Sequence, residues 1–417
     1  MRLCKNRLAE QQANSNFPLF PLVGVIGLVP DEWASIWQSR QHVLSRLSVY
    51  FNVVWVNPAK GWRELWFRNS LQNNNRFHHD FSSHSFMVHD PGKWLPHFYR
   101  PRFIADCATQ MRLNQAYRIL RKKKCDKFIL YLWRPEFSSA LEFNGYDLSC
   151  YHIDDEYTFS DIEQPLAVEE KSLIARVDQV IIHSPALLEK KGRINPHTTL
   201  IPNGVDYDAY ATPVDELDET RHIPHPRIGY VGVIKKQLDL SLLHTLVMRH
   251  QEWSFIFVGP MENLFEQTST AHRLAAMPNV YFLGSKPVHR LPAYTQHLDV
   301  CLLCYQVNGY TKFIYPMKLH EYLATGRPVV ASPIRSLQDY AHIITLASTV
   351  DEWSQALSDA LQPAEHSPEK LEARRCIARQ HDWNNLVQQI AYSLCKHFGS
   401  SYTEQFQKIP NHTPVCV

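Results

Sequence analysis

The feature that most constrains the fold of this chain is a strand–helix alternation that occurs twice, on either side of a turn-rich segment. Residues 194–226 are crowded with proline, asparagine and acidic side chains. On both sides, short apolar runs rich in β-branched and aromatic residues alternate with helix-like stretches. Continuous apolar strands are typical of a parallel sheet that is buried on both faces. The alternation therefore predicts an α/β protein with two doubly wound domains.

The predicted strands form two sets. The set before the turn-rich segment comprises residues 22–28, 49–57, 127–133, 149–153 and 179–184. The set after it comprises residues 227–233, 253–259, 280–285, 298–305, 327–332 and 343–347. Helical patterns separate several of them, for example at 35–48 and 108–124. We therefore expect a flexible leader at 1–16, Rossmann-like domains at 17–200 and 201–385, and a C-terminal helix and tail at 386–417.

Composition and charge exclude several classes of protein. Of the 417 residues, 45% are hydrophobic and 20% are charged, which is typical of a globular rather than a disordered chain. The net charge of +2 gives no sign of nucleic-acid binding. The polar N-terminus lacks the apolar centre of a signal peptide, and no run of about 18 apolar residues is present. We therefore expect a cytoplasmic protein.

Two groups of residues in the sequence, one of cysteines and one of histidines, have the chemistry of metal ligands. Cys301 and Cys304 are the only closely spaced cysteines, and they lie inside an apolar run. This position favours small buried hydrophobic residues over redox or metal chemistry. The histidines of residues 76–90 show no regular spacing. We therefore expect no metal site.

The strongest chemical signal is the stretch KFIYPMKLHEYLATGRPVVAS at 312–332, where a helix beginning near Pro316 runs into a buried strand. The first turn of a helix presents free N–H groups and a positive dipole end, which favour an anion such as a diphosphate. Lys318 would add a positive charge, and Glu321 would accept hydrogen bonds from a ribose diol. The alternative is an ordinary solvated pair of helix charges.

This stretch, IPNGVD at 201–206 and IGYVGVIKKQLDLSLL at 228–243 together resemble the group-1, glycogen-synthase-like glycosyltransferases of the GT-B fold. The helix at 33–48 is similar to one in bacterial polysaccharide transferases. The resemblance implies two Rossmann-like domains that face a central cleft, with a nucleotide-diphosphate sugar on the C-terminal domain and the acceptor on the N-terminal one. It also implies a metal-independent hexosyltransferase of surface or exopolysaccharide biosynthesis that uses no cofactor besides its substrate.

The resemblance also carries site residues onto this sequence. The family's ribose-binding glutamate matches Glu321, and the loop from Gly232 to Lys236 would approach the diphosphate. Gly259 and Tyr294, beside Val258, would line the base pocket. The complete donor set expected is Gly232, Lys235, Lys236, Gly259, Tyr294, Lys318, Leu319 and Glu321.

Two positions depart from the family pattern. Phe313 stands where the family has a glutamate near the donor sugar, and Val233 stands where it has an arginine. Lys235 and Lys236 are the nearest replacements for the arginine. The residues that would contact the sugar in place of the glutamate are Asn308, Tyr310, Thr311 or Lys312.

The acidic run HIDDEY at 152–157 follows a predicted strand and would emerge at the cleft. A carboxylate there would take the proton of an acceptor hydroxyl, for which Asp154 is the first choice and Asp155 the second. The alternative is a cluster that caps and solubilises the loop.

Other functions and settings remain open. The segments 60–70 and 92–103 mix aromatic and basic residues, which suits either the inner membrane surface near a lipid-linked acceptor or anchors of long loops.

A nucleotide-sugar epimerase or hydrolase and a non-catalytic GT-B-like binding protein are the alternative functions. A dinucleotide oxidoreductase is disfavoured because no GxGxxG turn follows a strand.

Overall fold

A computed structural model describes residues 18–59, 83–91 and 102–408. The strands in these ranges are β1 (Val23–Leu28), β2 (Asn52–Val56), β3 (Phe86–His89), β4 (Lys127–Leu132), β5 (Leu148–Ile153), β6 (Gln179–Ile182), β7 (Thr198–Leu200), β8 (Arg227–Val231), β9 (Ser254–Val258), β10 (Val280–Gly284), β11 (Val300–Leu303), β12 (Val329–Ala331) and β13 (Thr345–Leu346). Every strand predicted from the apolar runs is present.

The α-helices in the same ranges are α1 (Ser39–Leu47), α2 (Arg102–Lys122), α3 (Val168–Arg176), α4 (Pro185–Lys191), α5 (Tyr207–Ala211), α6 (Asp218–Arg221), α7 (Leu240–Arg249), α8 (Thr268–Ala275), α9 (Leu291–Gln296), α10 (Met317–Thr325), α11 (Arg335–Gln338), α12 (Val350–Ala360), α13 (Pro368–Gln380), α14 (Trp383–Lys396) and α15 (Ser400–Gln407). The leader predicted at 1–16 lies outside the described residues.

The strands form two parallel sheets, as the alternation predicted. The first has the order β3-β2-β1-β4-β5-β6-β7, and the second has the order β10-β9-β8-β11-β12-β13. In each sheet the order reverses beside the first strand, which is the switch point of a doubly wound fold. Loops and helix N-termini that can bind a ligand therefore gather at the carboxyl ends of the strands.

Differences in burial explain why the inner strands were predicted from the sequence and the edge strands β3 and β7 were not. All residues of β1 and β2 are buried, because helices cover both faces of the sheet. Only the first residue of β3 is buried, and no residue of β7 is. Without a continuous apolar run, these short edge strands gave no signal. The turn-rich segment at 194–226, for which no regular element was predicted, contains β7, α5 and α6.

The chain crosses between the two sheets twice, and the two crossings pair with each other. Val205 donates its N–H to the carbonyl of His381 (3.0 Å), and Trp383 donates to the carbonyl of Val205 (2.9 Å). A side chain on Gly204 would approach the His381 carbonyl to 2.5 Å, so the crossing requires glycine. Beyond it, α14 and α15 pack into the hydrophobic core beneath the first sheet through buried residues from Trp383 to Phe406.

The helix α10 has the boundaries that its sequence suggested. Pro316 is the N-cap residue, and Gly326 ends the helix in the left-handed conformation with φ of 80°. The GRP turn then leads directly into β12. Cys301 and Cys304 are buried free thiols beside this region, as predicted, and burial raises the pKa of Cys301 to about 12.

Candidate functional site

Three glycines form a backbone surface at the carboxyl ends of β8, β9 and β10. Gly232 has φ of 149° and Gly259 has φ of 142°, a region that favours glycine. A side chain on Gly259 would lie 2.1 Å from the carbonyl oxygen of Gly232. The N–H of Gly259 in turn donates to the carbonyl of Gly284 (2.9 Å). Gly232 and Gly259 therefore have no room for a side chain, because neighbouring atoms fill the space that a Cβ would take.

The first turn of α10 lies against this glycine surface. A side chain on Gly232 would come within 1.9 Å of Cε of Lys318, so the lysine occupies the space that the glycine leaves. Its ammonium nitrogen is 5.4 Å from the ring centroid of Tyr230. The predicted loop and the predicted helix N-terminus therefore meet, although 86 residues separate Gly232 from Lys318.

A second lysine points into the same space. Desolvation within the cleft and the positive charge of Lys318 lower the pKa of Lys235, whereas Asp155 and Glu262 act in the opposite direction. Two ammonium groups that repel each other are stabilised by an anion between them. Lys236 is turned away, because its Nζ atom lies 3.6 Å from Oδ1 of Asp161 in the other domain.

Glu321 lies one turn into α10, half-buried below Lys318. Desolvation raises its pKa, and Lys318 and a hydrogen bond from Tyr210 partly offset this effect. The carboxylate therefore sits beside the lysine pair and within the same cleft wall.

Two members of the predicted donor set do not face the cleft. The side chain of Tyr294 is in the core, its hydroxyl donates to Glu219, and Lys286 covers its ring at 5.6 Å. The side chain of Leu319 is fully buried, and its N–H donates to the carbonyl of Pro316 (3.2 Å). The side chains of both residues therefore belong to the core, and their part in donor binding stays a prediction.

On the facing domain, Asp154 is held by a cation. NH2 of Arg40 lies 2.9 Å from Oδ2 of Asp154, and the hydroxyl of Tyr157 donates to Oδ1 (3.0 Å). Desolvation acts to raise the pKa of Asp154, but the charge of Arg40, with those of His183 and Arg134, lowers it. A carboxylate bound in this way is a weak proton acceptor.

Asp155 has the opposite environment. Desolvation and the neighbouring charge of Asp154 raise the pKa of Asp155 to about 6. It accepts hydrogen bonds from the N–H of Glu156 (2.8 Å) and from the hydroxyl of Tyr310, which is 3.0 Å from each carboxylate oxygen. A general base works best with a pKa near the operating pH. The geometry therefore favours Asp155 over Asp154, the reverse of the order expected from sequence.

Residues 154–163, here called the acidic loop, contact residues 306–313 of the other domain, here called the clasp loop. Gly309 donates its N–H to the carbonyl of Asp161 (2.8 Å), and Lys312 forms an ion pair with Glu163 (3.0 Å). Phe313, at the position of the family's glutamate, is 1% exposed and belongs to the core of the N-terminal domain. The clasp loop therefore joins the two sides of the cleft.

Solved structures define the class of protein. A glycosyltransferase from Rickettsia africae ESF-5 has a TM-score of 0.60 over 93% of this chain and 98% of its own, at 12% identity. Trehalose-6-phosphate synthase OtsA has a TM-score of 0.60 over 89% of this chain and 98% of its own, also at 12% identity. Two doubly wound domains facing a cleft, with these neighbours, constitute a GT-B fold.

Sequence comparisons agree with this fold. Residues 225–363 match the family described as "Glycosyl transferases group 1". It is also similar to the "Putative teichuronic acid biosynthesis glycosyltransferase TuaH" of Bacillus subtilis (strain 168), at 29% identity over 235 residues. That match covers 53% of this chain and 57% of TuaH.

Proposed function

We propose that the protein transfers a hexosyl group from a nucleotide-diphosphate sugar to a glycan acceptor. The observation that carries this proposal is the convergence of Lys235 and Lys318 beside the Gly232 backbone at the N-terminus of α10. The arrangement suits a diphosphate whose negative charge grows as the sugar leaves. Glu321, one turn further along, suits the ribose hydroxyls. With two lysines and a helix dipole at the diphosphate, we expect transfer to proceed without a metal ion.

The acceptor would lie on the other side of the cleft, against Asp155. The TuaH name points to polysaccharide biosynthesis, and we carry that setting over to this chain as part of the proposal. Lipid linkage of the acceptor and peripheral attachment at the inner membrane face belong to the same proposal. The aromatic and basic segments that suggested attachment lie almost entirely outside the described residues. Among the described helices, none has the length and apolarity to cross a bilayer.

One observation favours a second candidate. Phe313 fills the position of the family's sugar-contacting glutamate and is buried away from the cleft. A protein that binds a nucleotide sugar without transferring it would tolerate this change. Product analysis separates the candidates, because transfer gives a glycoside, hydrolysis gives free sugar, epimerisation gives a changed sugar nucleotide, and binding alone gives none of these.

The test is a thermal-shift panel of nucleoside diphosphates and nucleotide sugars, followed by a transfer assay with the ligand that binds. A ligand at a hundredfold over its Kd adds about 2.7 kcal/mol of apparent stability. Lys318→Met and Glu321→Gln should each raise the Kd about tenfold or more, since each removes a charged partner. Glu404→Gln, an exposed change on α15, is the matched control and should bind like wild type. A folded wild type that binds no ligand of the panel would refute the proposal.

A further inference from the structure

We propose that Arg134 binds an acidic group of the acceptor, either a carboxylate or a phosphate. This inference rests on the proposed transfer reaction and deepens it, because it gives the chemical class of the acceptor. The acceptor would be an anionic glycan or a sugar phosphate rather than a neutral sugar.

Arg134 lies where the first sheet opens a crevice. It is the second residue after the carboxyl end of β4, and β4 pairs with β1 and β5. The strand order of this sheet reverses between β1 and β4. Doubly wound sheets bind their ligands outside the carboxyl ends of the strands at such a reversal. The fold therefore places Arg134 on the acceptor side of the cleft.

The Arg134 guanidinium has aromatic neighbours but no acidic partner. Its Cζ atom lies 4.8 Å from the ring centroid of Tyr157 and 5.7 Å from that of Phe159. Among residues 18–59, 83–91 and 102–408, no carboxylate forms an ion pair with Arg134 and no atom accepts a hydrogen bond from its side chain. A guanidinium has five N–H donors in one plane, and here they remain available to an anion.

The two adjacent carboxylates of the acidic loop are engaged with other partners. Asp154 pairs with Arg40 (2.9 Å), which also pairs with Asp31. Asp155 accepts from the hydroxyl of Tyr310 (3.0 Å). The crevice therefore has one arginine whose charge is neutralised within the protein, Arg40, and one whose charge is not.

The two rings that contact Arg134 are held in place. The Tyr157 hydroxyl donates to Oδ1 of Asp154 (3.0 Å) and accepts from the N–H of Asp154 (3.2 Å). Phe159 is 47% exposed and has φ of 49°, a left-handed conformation that bulky residues rarely adopt. Backbone strain of this kind concentrates at ligand-binding sites. A guanidinium held between fixed groups loses less conformational freedom when it binds an anion.

The chemistry of the guanidinium selects the ligand. Its planar fork pairs with two oxygens of a carboxylate or a phosphate at once, which a neutral hydroxyl does not match. In the proposed reaction, the diphosphate of the donor is bound by Lys235 and Lys318 on the other wall. The acid at Arg134 therefore comes from the acceptor, as the carboxylate of a uronic acid or as a phosphate that links a sugar to its carrier.

The first test follows the Nε–H signal of Arg134 by NMR in protein with 15N-labelled arginine, assigned with Arg134→Lys. The probes are methyl glucuronide for a carboxylate, glucose 1-phosphate for a phosphate and methyl glucoside as the neutral control. At least one acidic probe should shift the signal and saturate, whereas methyl glucoside should not shift it at the same concentrations. No shift with either acidic probe, or an equal shift with methyl glucoside, would overturn the inference.

The two acidic probes distinguish the source of the anion. A shift with methyl glucuronide alone identifies a uronic acid, and a shift with glucose 1-phosphate alone identifies a phosphate. A shift with both identifies a site that accepts either acid. Each of these three results supports the inference, because the signal belongs to Arg134 and does not report binding at the lysine pair.

The second test measures transfer by Arg134→Gln and Arg134→Lys. Arg134→Gln should raise the KM of an acidic acceptor about tenfold or more, and it should leave the Kd of the nucleoside diphosphate and the KM of a neutral acceptor unchanged. Arg134→Lys keeps the charge and loses the fork, so its KM should lie between those of wild type and Arg134→Gln. Arg118→Gln, an exposed change on α2, is the matched control and should behave like wild type.

Two results of the second test would contradict the inference. If acidic and neutral acceptors lose affinity equally in Arg134→Gln, Arg134 only packs against the rings. If the Kd of the donor rises while the acceptor KM stays the same, Arg134 belongs to the donor site. The NMR titration needs no transfer, so a response of Arg134 in a protein that transfers no sugar would refute the proposed function and keep the anion site. An active transferase whose Arg134 signal does not respond would refute the anion site alone.

Discussion

NH2 of Arg40 lies 2.9 Å from Oδ2 of Asp154, and the two side chains are only 4% and 5% exposed. Among the residues that the structure describes, no cation pairs with the next residue, Asp155, which accepts a tyrosine hydroxyl instead. Two adjacent carboxylates therefore have pKa values that are moved in opposite directions. The two carboxylates therefore differ in environment, with Asp154 bound to Arg40 and Asp155 bound to Tyr310 of the clasp loop.

Arg40→Met should destabilise the protein by about 3–5 kcal/mol, because it leaves the nearly buried carboxylate of Asp154 without its cation. The double variant Arg40→Met/Asp154→Asn should recover a large part of this loss, since the nearly buried charge of Asp154 is gone and only the more exposed Asp31 has lost its cation. Chemical denaturation of the wild type, both single variants and the double variant gives the coupling energy. Additive effects in this cycle would contradict the pairing.

Asp155→Asn should make the protein more stable at pH 7.5 and less active. The folded-state pKa of about 6 is above the ordinary value of 3.8, so above pH 6 the ionised carboxylate opposes folding. Removal of the charge should add about 3 kcal/mol, and the difference from wild type should disappear as the pH falls from 6 to 4. Asp218→Asn, at a side chain that is 93% exposed, should change stability by less than about 0.5 kcal/mol. A pH-independent gain for Asp155→Asn would indicate another cause.

The meeting of the Gly232 loop and the first turn of α10 was predictable because local patterns and one topological rule define it. The apolar runs gave the strands, and parallel strands place their carboxyl ends at one edge. Lys318 therefore had to approach the loop at Gly232 once both strands were recognised. The helix signals at Pro316 and Gly326 are local and gave α10 correctly.

The environment of the acidic loop on the N-terminal side of the cleft was not predictable in the same way, because it depends on residues that are distant in sequence. Asp154 differs from Asp155 through Arg40 on α1, and Asp155 meets Tyr310 across 155 positions of sequence. An amphipathic pattern also does not indicate which hydrophobic core a helix packs into. The packing of α14 against the N-terminal domain could therefore not be predicted from the sequence. The burial of the Tyr294 and Leu319 side chains was also not foreseen, since a family motif does not distinguish a core side chain from a cleft side chain.

Gly232→Ala should abolish donor binding, whereas Gly284→Ala should not. The new methyl at Gly232 would lie 1.9 Å from Cε of Lys318, so the lysine must leave the diphosphate site. At Gly284 the φ angle is also positive, at 70°, but no heavy atom lies within 4 Å of the new methyl. An alanine at Gly284 costs about 1–2 kcal/mol in backbone strain, and an alanine at Gly232, with φ of 149°, costs more. Only Gly232→Ala should raise the Kd of the nucleoside diphosphate, by about tenfold or more, in calorimetry.

Equal Kd values for Gly232→Ala and Gly284→Ala would contradict the placement of the diphosphate. The expected pattern is a larger loss of stability and a raised Kd for Gly232→Ala, and a wild-type Kd for Gly284→Ala. The comparison is matched because both glycines lie at the carboxyl ends of strands of the same sheet and both have a positive φ angle.

Phe313→Glu restores the family's residue and should nevertheless weaken the protein. Phe313 is buried in the N-terminal core, where a carboxylate loses its water, although Lys190 and Lys312 lie 4.9 and 5.4 Å from the ring centroid. The clasp loop should detach, which small-angle scattering would record as a larger radius of gyration, and the melting temperature should fall. Phe313→Leu keeps an apolar side chain and should remain closed with a smaller loss of stability, of about 1 kcal/mol. A Phe313→Glu protein that stays closed and transfers sugar faster would instead place this position in the donor-sugar site.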